Sequence, residues 1–356
     1  MSRSAIVNPI RVGRYRIGEA YAPFVIAEMS GNHNGSLKRA LKIVEAAAQS
    51  GAHALKLQTY TADTMTLDVR GKGFYISDPD SLWSGQSLYE LYQKAYTPWK
   101  WHEPIFKRCR ELGMVGFSTP FDATAVDFLE SLHVPIYKIA SFENVDLPLI
   151  RRVAATGKPM IISTGLANYA EIAEAVRTAR QSGCRQLILL KCTSAYPAPP
   201  EEVNLATIPD LRKNFRCLAG LSDHTEGIGV SIASIACGAV VIERHITLRR
   251  ADGGVDSAFS LEPEELSALV RGTEAAWKAI GSISYGPSRR EKDSLIFRRS
   301  LYVAQDMKAG ERFDESNLRS IRPGLGLAPR YYDDLLGKPI RRDVKKGTAV
   351  TRELLG

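Results

Sequence analysis

Short apolar segments alternate with amphipathic segments from residue 24 to about residue 280, and this alternation restricts the folds open to the chain. The apolar segments have the length and composition of buried parallel strands. They are residues 24–27, 54–57, 114–117, 136–139, 160–162, 187–190, 217–221 and 240–242. Helical periodicity follows nearly every strand, most clearly at residues 37–49, 123–132, 171–181 and 264–280. Eight β-then-α units in succession predict an α/β fold, a (β/α)8 TIM barrel rather than an open doubly wound sheet.

The segments outside this repeat predict the domain organisation. Residues 10–17 have the pattern of a hairpin that would cover the barrel floor, so the barrel domain spans residues 1–281. Residues 282–299, with Gly286, Pro287 and a run of charges, predict a linker. Residues 300–356 change to short strands and turns and predict a small, mostly β domain. An outsized insertion at residues 61–101 follows the second strand, and such βα loops usually shape an active site or an interface.

The composition disfavours several classes of protein. No apolar run approaches the roughly 20 residues of a membrane span, and the amino terminus lacks the apolar stretch of a secretory signal. The five cysteines are scattered without CxxC spacing, which is typical of reduced thiols in a cytoplasmic protein. The net charge is +8, and the part from Gly281 onward holds sixteen Lys or Arg against ten Asp or Glu. This basic tail has no nucleic-acid-binding motif, and an anionic small-molecule substrate or a solvated surface explains it at least as well.

Two of the six histidines occupy equivalent places in the repeat. His224 follows the seventh predicted strand, and His245 follows the eighth. In a parallel barrel the carboxyl ends of the strands meet at one face, where catalytic residues gather. Two neutral imidazoles on neighbouring strands suit one divalent ion such as Zn²⁺, Mn²⁺, Fe²⁺ or Co²⁺. A single strand-end histidine is more often an ordinary polar residue, but the repeated placement predicts a metal site.

Polar side chains also end the other predicted strands, and two lysines are prominent among them. Lys56 and Lys138 lie within strands, where an unpaired ammonium group is costly, so we expect both to face an anion. Hydroxyl groups at the same face would complete a phosphate and carboxylate cradle, although some suit helix capping equally well. They belong to Thr119, Ser141, Ser163 and Ser222. Such a pocket beside a metal predicts phosphoenolpyruvate and a carbonyl compound as substrates, with Glu28 ordering a water or acting as general base.

Taken together, these strand-end segments resemble the sialic acid synthase family. The resemblance rests on Ile26-Ala27-Glu28, Lys56-Leu57-Gln58, Phe117-Ser118-Thr119-Pro120-Phe121-Asp122, Tyr137-Lys138-Ile139-Ala140-Ser141-Phe142-Glu143, Ser163-Thr164-Gly165, Cys192-Thr193-Ser194-Ala195-Tyr196-Pro197, Ser222-Asp223-His224 and Glu243-Arg244-His245. Residues 298–302 and 322–326 are similar to the antifreeze-like (SAF) domain that these enzymes carry. The resemblance therefore covers nearly the whole chain.

This resemblance implies an enzyme that condenses phosphoenolpyruvate with an N-acetylated amino sugar to give a nine-carbon 2-keto acid and phosphate. It implies a divalent metal of the Mn²⁺ type, with Mg²⁺ or Co²⁺ as alternatives, on His224 and His245 with Glu28 close by. The implied phosphoenolpyruvate ligands are Lys56, Thr119, Lys138, Ser141, Ser163, Ser194 and Ser222. The implied sugar ligands are Gln58, Glu143, Tyr196 and Asp256. It also implies a domain-swapped homodimer, in which Arg322 reaches the sugar in the other subunit.

The next question is which acceptor sugar an enzyme with this sequence would use. The segments around Glu28 and Phe142 and residues 88–99 are most similar to members that use a 6-deoxy-2,4-diacetamido sugar. Phe142 stands where members that use N-acetylmannosamine tend to have a small residue, and it would add an apolar wall beside Glu143. Packing between strands is an equally good interpretation of this residue.

Several alternatives stay open at this point. N-acetylmannosamine and a 2,4-diacetamido-trideoxy-mannose are the other acceptors, and a phosphoenolpyruvate-using aldolase of another pathway differs only in its acceptor. A non-catalytic carbohydrate-binding or ice-binding protein built around the tail is the alternative of a different class. Binding alone needs no metal site, so the strand-end residues argue against it.

Overall fold

The computed structural model describes residues 7–69, 71–79 and 81–355. The chain divides into two compact units, Met1–Gly281 and Ser282–Gly356. The first unit contains a closed barrel of eight parallel strands, and the second contains a small antiparallel sheet.

The barrel confirms the predicted fold class. A hairpin of β1 (Ile10–Val12) and β2 (Tyr15–Ile17) precedes it. The barrel strands are β3 (Phe24–Glu28), β4 (Ala54–Thr59), β5 (Val115–Pro120), β6 (Tyr137–Ile139), β7 (Met160–Ser163), β8 (Leu187–Cys192), β9 (Leu218–Ser222) and β10 (Val241–His245). They lie in chain order, and β10 closes the barrel by pairing with β3. All eight predicted strands are present. β5 extends beyond its predicted end because Thr119 and Pro120 still align in register with Gln58 and Thr59 of β4.

The helices of the first unit follow the barrel strands along the chain. They are α1 (Leu37–Gln49), α2 (Ala62–Met65), α3 (Leu88–Ala95), α4 (His102–Glu111), α5 (Ala123–Ser131), α6 (Leu147–Ala154), α7 (Tyr169–Gln181), α8 (Thr207–Phe215), α9 (Gly229–Ala236) and α10 (Pro263–Ile280). Local sequence signals set their limits: the Ser36 hydroxyl caps α1 by accepting from the Arg39 amide, and Asn168 and Glu171 form a capping box on α7. Single 3₁₀ turns occupy Ser30–His33, Trp99–Trp101, Pro200–Glu202 and Arg250–Asp252.

The amino-terminal hairpin lies across the floor of the barrel, as its pattern predicted. The Tyr15 ring contacts the Phe24 ring at the start of β3, with 5.5 Å between centroids. The Tyr15 hydroxyl donates to the carbonyl of Gly113, just before β5. Ile10, Val12 and Ile17 are buried in the same apolar core as the barrel. The hairpin therefore leaves uncovered the opposite face of the barrel, where the strands end.

The second unit has its own small core. It pairs β11 (Ser300–Val303) with β12 (Leu318–Ile321) and contains the short α11 (Tyr332–Leu335), with 3₁₀ turns at Lys292–Phe297, Pro329–Tyr331 and Arg352–Leu354. Its buried apolar residues include Leu301, Phe313, Leu318, Ile340 and Val350. The turn Lys292–Phe297 lies within the predicted linker, and its residues are exposed. In the described part of the chain, no helix is both long and apolar enough to cross a membrane.

Candidate active site

The two predicted metal-binding histidines lie side by side at the carboxyl end of the barrel. His245 is the last residue of β10, in register with Glu28, the last residue of β3. His224 lies two residues beyond the end of β9. The two imidazole rings are buried, with 5.4 Å between their centroids. Neighbouring strands thus bring both histidines and Glu28 to one place.

The surroundings of the histidines fix which nitrogens are free. His224 Nδ1 lies 3.0 Å from the Thr193 carbonyl oxygen, to which it donates, so Nε2 is left for a ligand. His245 Nδ1 is buried without a hydrogen-bond partner among the described residues. Burial, together with the positive neighbours, lowers the pKa of His245 well below its usual range, so this imidazole is neutral. A neutral imidazole with an unsatisfied nitrogen, as at His245, is the kind of donor that a divalent ion of the first transition row requires.

The set of protein donors for such an ion is small. Within residues 7–69, 71–79 and 81–355, no group of three or more His, Cys, Asp or Glu side chains is arranged to hold a metal. An ion on His224 and His245 would therefore fill its remaining positions with water or substrate oxygens. Sites that keep open positions are the type suited to catalysis.

The two buried lysines do face anions, and these anions are carboxylates of the protein. Lys56 Nζ lies 2.5 Å from Glu28 Oε2, and Lys138 Nζ lies 3.4 Å from Glu243 Oε1. All four side chains are at most 6% exposed. Burial raises the pKa of Glu28, and Lys56 offsets this only in part. Burial alone would lower the pKa of Lys56, but the Glu243 and Glu28 carboxylates outweigh it and raise the pKa, so the ammonium form persists.

These ion pairs leave donors free for a substrate. Each ammonium group has three N–H donors. Lys56 donates a hydrogen bond to the Thr119 hydroxyl, 3.1 Å away, whereas its contact with Glu28 and the contact of Lys138 with Glu243 are ion pairs. With both carboxylates ionised, the charges of the two lysines and the two glutamates sum to zero. A bound dianion would therefore make the site negative. Glu28, whose pKa is raised, is the group that can then take up a proton.

Some of the predicted hydroxyl groups are free, and others already take part in hydrogen bonds. The Ser163 hydroxyl is buried and has no partner in the described part of the chain. The Ser222 hydroxyl donates to Glu243 Oε1 at 3.0 Å, and Thr119 accepts from Lys56. Ser141 and Ser194 both approach Gly165, where a β-carbon would lie 2.6 Å and 2.3 Å from their hydroxyl oxygens. The loops after β6, β7 and β8 thus converge on a small polar cradle that only a glycine at this position leaves open.

Replacement of Gly165 by alanine tests this cradle. The added methyl group would displace the Ser141 and Ser194 hydroxyls, so we expect the KM for phosphoenolpyruvate to rise by about tenfold, the loss of roughly one hydrogen bond. Gly229→Ala is the matched control, since nothing lies within 4 Å of its added carbon. Equal KM values for the two variants would show that the cradle does not bind substrate.

The predicted sugar ligands come from the same face of the barrel, where the strands end. Gln58 follows Lys56 at the alternate position of β4, so it shares its face. Glu143 is half-buried after β6, with Oε2 lacking a partner among the described residues, and burial raises the pKa of Glu143 to about 7. Asp256 accepts from the Ser30 hydroxyl, and burial, with the nearby Glu28 charge, raises the pKa of Asp256 to about 7.

Tyr196 belongs to an aromatic wall that the sequence did not reveal as a unit. Its ring lies 4.5 Å from His224, 5.2 Å from Phe259 and 5.9 Å from Trp83, centroid to centroid. Phe259 in turn lies 5.0 Å from His245. Trp83 comes from the insertion at residues 61–101, whose length was the signal that it would shape a site, and its indole N–H donates to the Val255 carbonyl. This aromatic wall stands directly beside the two histidines.

Of the remaining residues, Phe142 and Arg322 were predicted to contribute to the site, and Cys192 was not. Phe142 is 60% exposed and so does not pack between strands. Arg322 belongs to the second unit, where it is exposed directly after β12, so the barrel by itself does not bring it to the other residues. Cys192 was not predicted to take part, yet its Sγ lies 3.9 Å from His224 Nδ1. Burial alone would raise the pKa of this thiol, but His224, Ser141 and Lys138 lower it to about 7.

Comparison with known proteins agrees with this geometry. The NeuB family matches residues 43–285, and the SAF domain matches residues 298–355. The chain is 41% identical to the pseudaminic acid synthase of Campylobacter jejuni, over 92% of this chain and 95% of that protein. It is 37% identical to the N,N'-diacetyllegionaminic acid synthase of the same species, over 90% and 97%. The crystal structure of N-acetylneuraminic acid synthetase from Leptospira borgpetersenii, in complex with citrate, superposes with a TM-score of 0.73 at 30% identity, over 82% and 96%. The chain belongs to the NeuB family.

Proposed function

We propose that this protein condenses phosphoenolpyruvate with 2,4-diacetamido-2,4,6-trideoxy-β-L-altropyranose to give pseudaminic acid and phosphate. The observation that carries the proposal is the placement of two buried lysines, a hydroxyl cradle and two histidines at one end of the barrel. The greater identity to the pseudaminic acid synthase than to the legionaminic acid synthase supports the choice of acceptor.

Phosphoenolpyruvate would bind where the positive charges are. The free N–H groups of Lys56 and Lys138 suit its phosphate and carboxylate oxygens, because charge-assisted hydrogen bonds are the strong ones. The hydroxyls of the cradle would bind the remaining oxygens; the full set is Thr119, Ser141, Ser163, Ser194 and Ser222. This arrangement would hold C3 of phosphoenolpyruvate toward the histidines and the acceptor.

The acceptor aldehyde would lie at the histidine pair. A divalent ion on His224 and His245, Mn²⁺ in our proposal with Mg²⁺ or Co²⁺ as alternatives, would supply Lewis-acid polarisation of the aldehyde oxygen. C3 of phosphoenolpyruvate then attacks the aldehyde carbon, water adds at C2, and phosphate leaves by cleavage of the C2–O bond. Glu28 would take the proton of that water, a role that suits a buried carboxyl group with a raised pKa.

The rest of the sugar would meet both polar and apolar groups. Gln58, Glu143, Tyr196 and Asp256 offer hydrogen bonds to hydroxyl and acetamido groups. The aromatic wall of Trp83, Tyr196 and Phe259 offers an apolar surface that suits the methyl group of a 6-deoxy sugar better than a hydroxymethyl group. Phe142, exposed beside Glu143, is available to extend that surface.

An acceptor panel tests the proposal. The protein is incubated with phosphoenolpyruvate, Mn²⁺ and one of three sugars, and phosphate release and product mass are measured. We expect the highest kcat/KM with the altrose derivative. A preference for N-acetylmannosamine or for the 2,4-diacetamido-trideoxy-mannose would reassign the acceptor, and no release with any sugar would refute the reaction.

The pH dependence of acceptor binding tests Glu143. Its pKa of about 7 means that the hydrogen-bond-accepting carboxylate forms as pH rises through that value. We therefore expect the KM for the sugar to fall by about tenfold between pH 6 and pH 8, and Glu143→Gln to flatten this change. The pH dependence that remains in the variant reports Asp256, which titrates in the same range. An unaltered profile in Glu143→Gln would exclude this residue from sugar binding.

We further propose a domain-swapped homodimer in the cytoplasm, in which Arg322 of one subunit completes the site of the other. The exposure of Arg322 and the five free thiols are consistent with this. Arg322→Ala and His245→Ala should each be inactive alone. Co-expressed, they should regain activity, because one of the two sites in a mixed dimer has both residues intact. No recovery in a dimer shown to be mixed would place Arg322 in its own subunit's site or outside any site.

A further inference from the structure

A fully buried ion pair lies directly behind the two histidines. Asp223 precedes His224, and Arg244 precedes His245. The Arg244 guanidinium donates to Asp223 Oδ2 at 2.7 Å, and the two side chains are 1% and 0% exposed. Arg244 is among the largest fully buried side chains in the described part of the chain. A pair so placed is close to the site but on the other side of the strands.

The alternation of β10 explains this placement. Glu243 extends into the barrel, where it meets Lys138 and the Ser222 hydroxyl. Arg244, the next residue, therefore points outward, toward the covering helices. There the Ser231 hydroxyl of α9 donates to the Asp223 carboxylate. The pair thus connects the ends of β9 and β10 to the helix between them.

The hydrogen bonds of the pair hold His224 on both sides. The second guanidinium nitrogen donates to the Thr225 carbonyl at 2.8 Å, while Asp223 Oδ1 accepts from the Thr225 amide at 2.9 Å. The backbone before and after His224 is therefore fixed to one side chain of β10. That side chain is covalently adjacent to His245, so the two histidine backbones are linked through a single rigid fork.

Stability alone is a weak reason for such a pair. Burying two charges costs solvation free energy that their attraction often fails to exceed, and apolar replacements of similar volume are frequently neutral or stabilising. Arg244 Nε has no partner among the described residues, which adds to that cost. The planar Arg244 guanidinium, in contrast, donates to both Asp223 and the Thr225 carbonyl, and this geometry is well suited to fixing the distance between the ends of β9 and β10.

We propose that the Asp223–Arg244 pair is a positioning device that sets the separation of the His224 and His245 imidazoles, on which the affinity for a divalent ion depends. This inference rests on the metal site of the proposed function. Neither residue touches substrate or metal; both act through the histidines that follow them. Groups that orient metal ligands typically contribute 10–100-fold to metal affinity.

The test is Mn²⁺ binding to the full-length apoprotein, followed by electron paramagnetic resonance of free Mn²⁺, together with thermal unfolding. In Asp223→Asn/Arg244→Met the charges are removed while an acceptor for the Thr225 amide and the side-chain volume are kept. We expect the Mn²⁺ Kd to rise at least tenfold and the Tm to change little. Arg244→Lys keeps the charge but not the fork, so its Kd should lie between those of the wild type and the double variant.

Controls separate the possible failures. Glu45→Gln/Arg108→Met removes a partly exposed pair between α1 and α4 and should leave the Kd unchanged. A wild-type Kd in a folded double variant, with or without a lower Tm, would overturn the positioning role. If the double variant does not fold, an unaltered Kd in Arg244→Lys overturns it instead. If the wild type and His245→Ala bind Mn²⁺ alike, the metal site itself is wrong and the proposed function fails first.

Discussion

Replacement of His224 or His245 by alanine is expected to lower kcat by at least about a thousandfold while the protein stays folded. Each variant would leave a single imidazole to hold the metal, and Lewis-acid polarisation of a carbonyl oxygen contributes several kcal/mol to such reactions. Folding should survive, because both histidines lie at the ends of strands that are paired on both sides. The measurement is phosphate release at saturating substrates and Mn²⁺, with circular dichroism as the check on folding.

The control for this experiment is a histidine of the same chain remote from the site. His133 is exposed and lies between α5 and β6, on the side of the barrel floor. Its backbone is left-handed, with φ at 56°, so asparagine is the suitable replacement. His133→Asn should keep full activity. Wild-type turnover by either folded alanine variant in chelator-treated solution would refute the metal-dependent reaction.

The sequence was sufficient for the barrel because its strands carry a redundant signal. Strands of a parallel sheet covered by helices are buried on both faces, so they appear as continuous apolar runs. β3 and β9 are examples, with every residue buried. The position of the site followed from the same topology, since the carboxyl ends of parallel strands meet at one face. His224, His245 and the two lysines could be predicted from this rule and their polarity.

The partners of these residues could not be predicted, because they depend on contacts between distant segments. Lys138 was expected to face an anion, but its pairing with Glu243 joins β6 to β10 across the barrel. Trp83 lies in an insertion without periodicity, and only the folded chain places it against Tyr196. The hydrogen bond that the Ser222 hydroxyl donates to Glu243 likewise depends on the tertiary structure. Local patterns identify which groups are chemically able to act, and packing decides which of them are free.

Replacement of Lys138 by methionine is expected to destabilise the protein and to weaken the binding of phosphoenolpyruvate strongly. The variant leaves Glu243 buried without its nearest cation, and breaking a buried ion pair typically costs about 3–5 kcal/mol. The lost ammonium group also removes charge-assisted hydrogen bonds to the substrate, each contributing about 1.5–3 kcal/mol. We therefore expect the Kd for phosphoenolpyruvate to rise by about a hundredfold or more. Urea unfolding and isothermal titration calorimetry measure the two effects.

A double variant separates the two effects. Lys138→Met/Glu243→Gln removes both charges, and the glutamine oxygen still accepts from the Ser222 hydroxyl, which now donates to Glu243 at 3.0 Å. The free energy of unfolding should recover most of its loss, because no uncompensated charge stays buried. Phosphoenolpyruvate binding should not recover, because the ammonium group is still absent. Recovery of both would mean that Lys138 only neutralises Glu243, and the anion site would then have to be built on Lys56 alone.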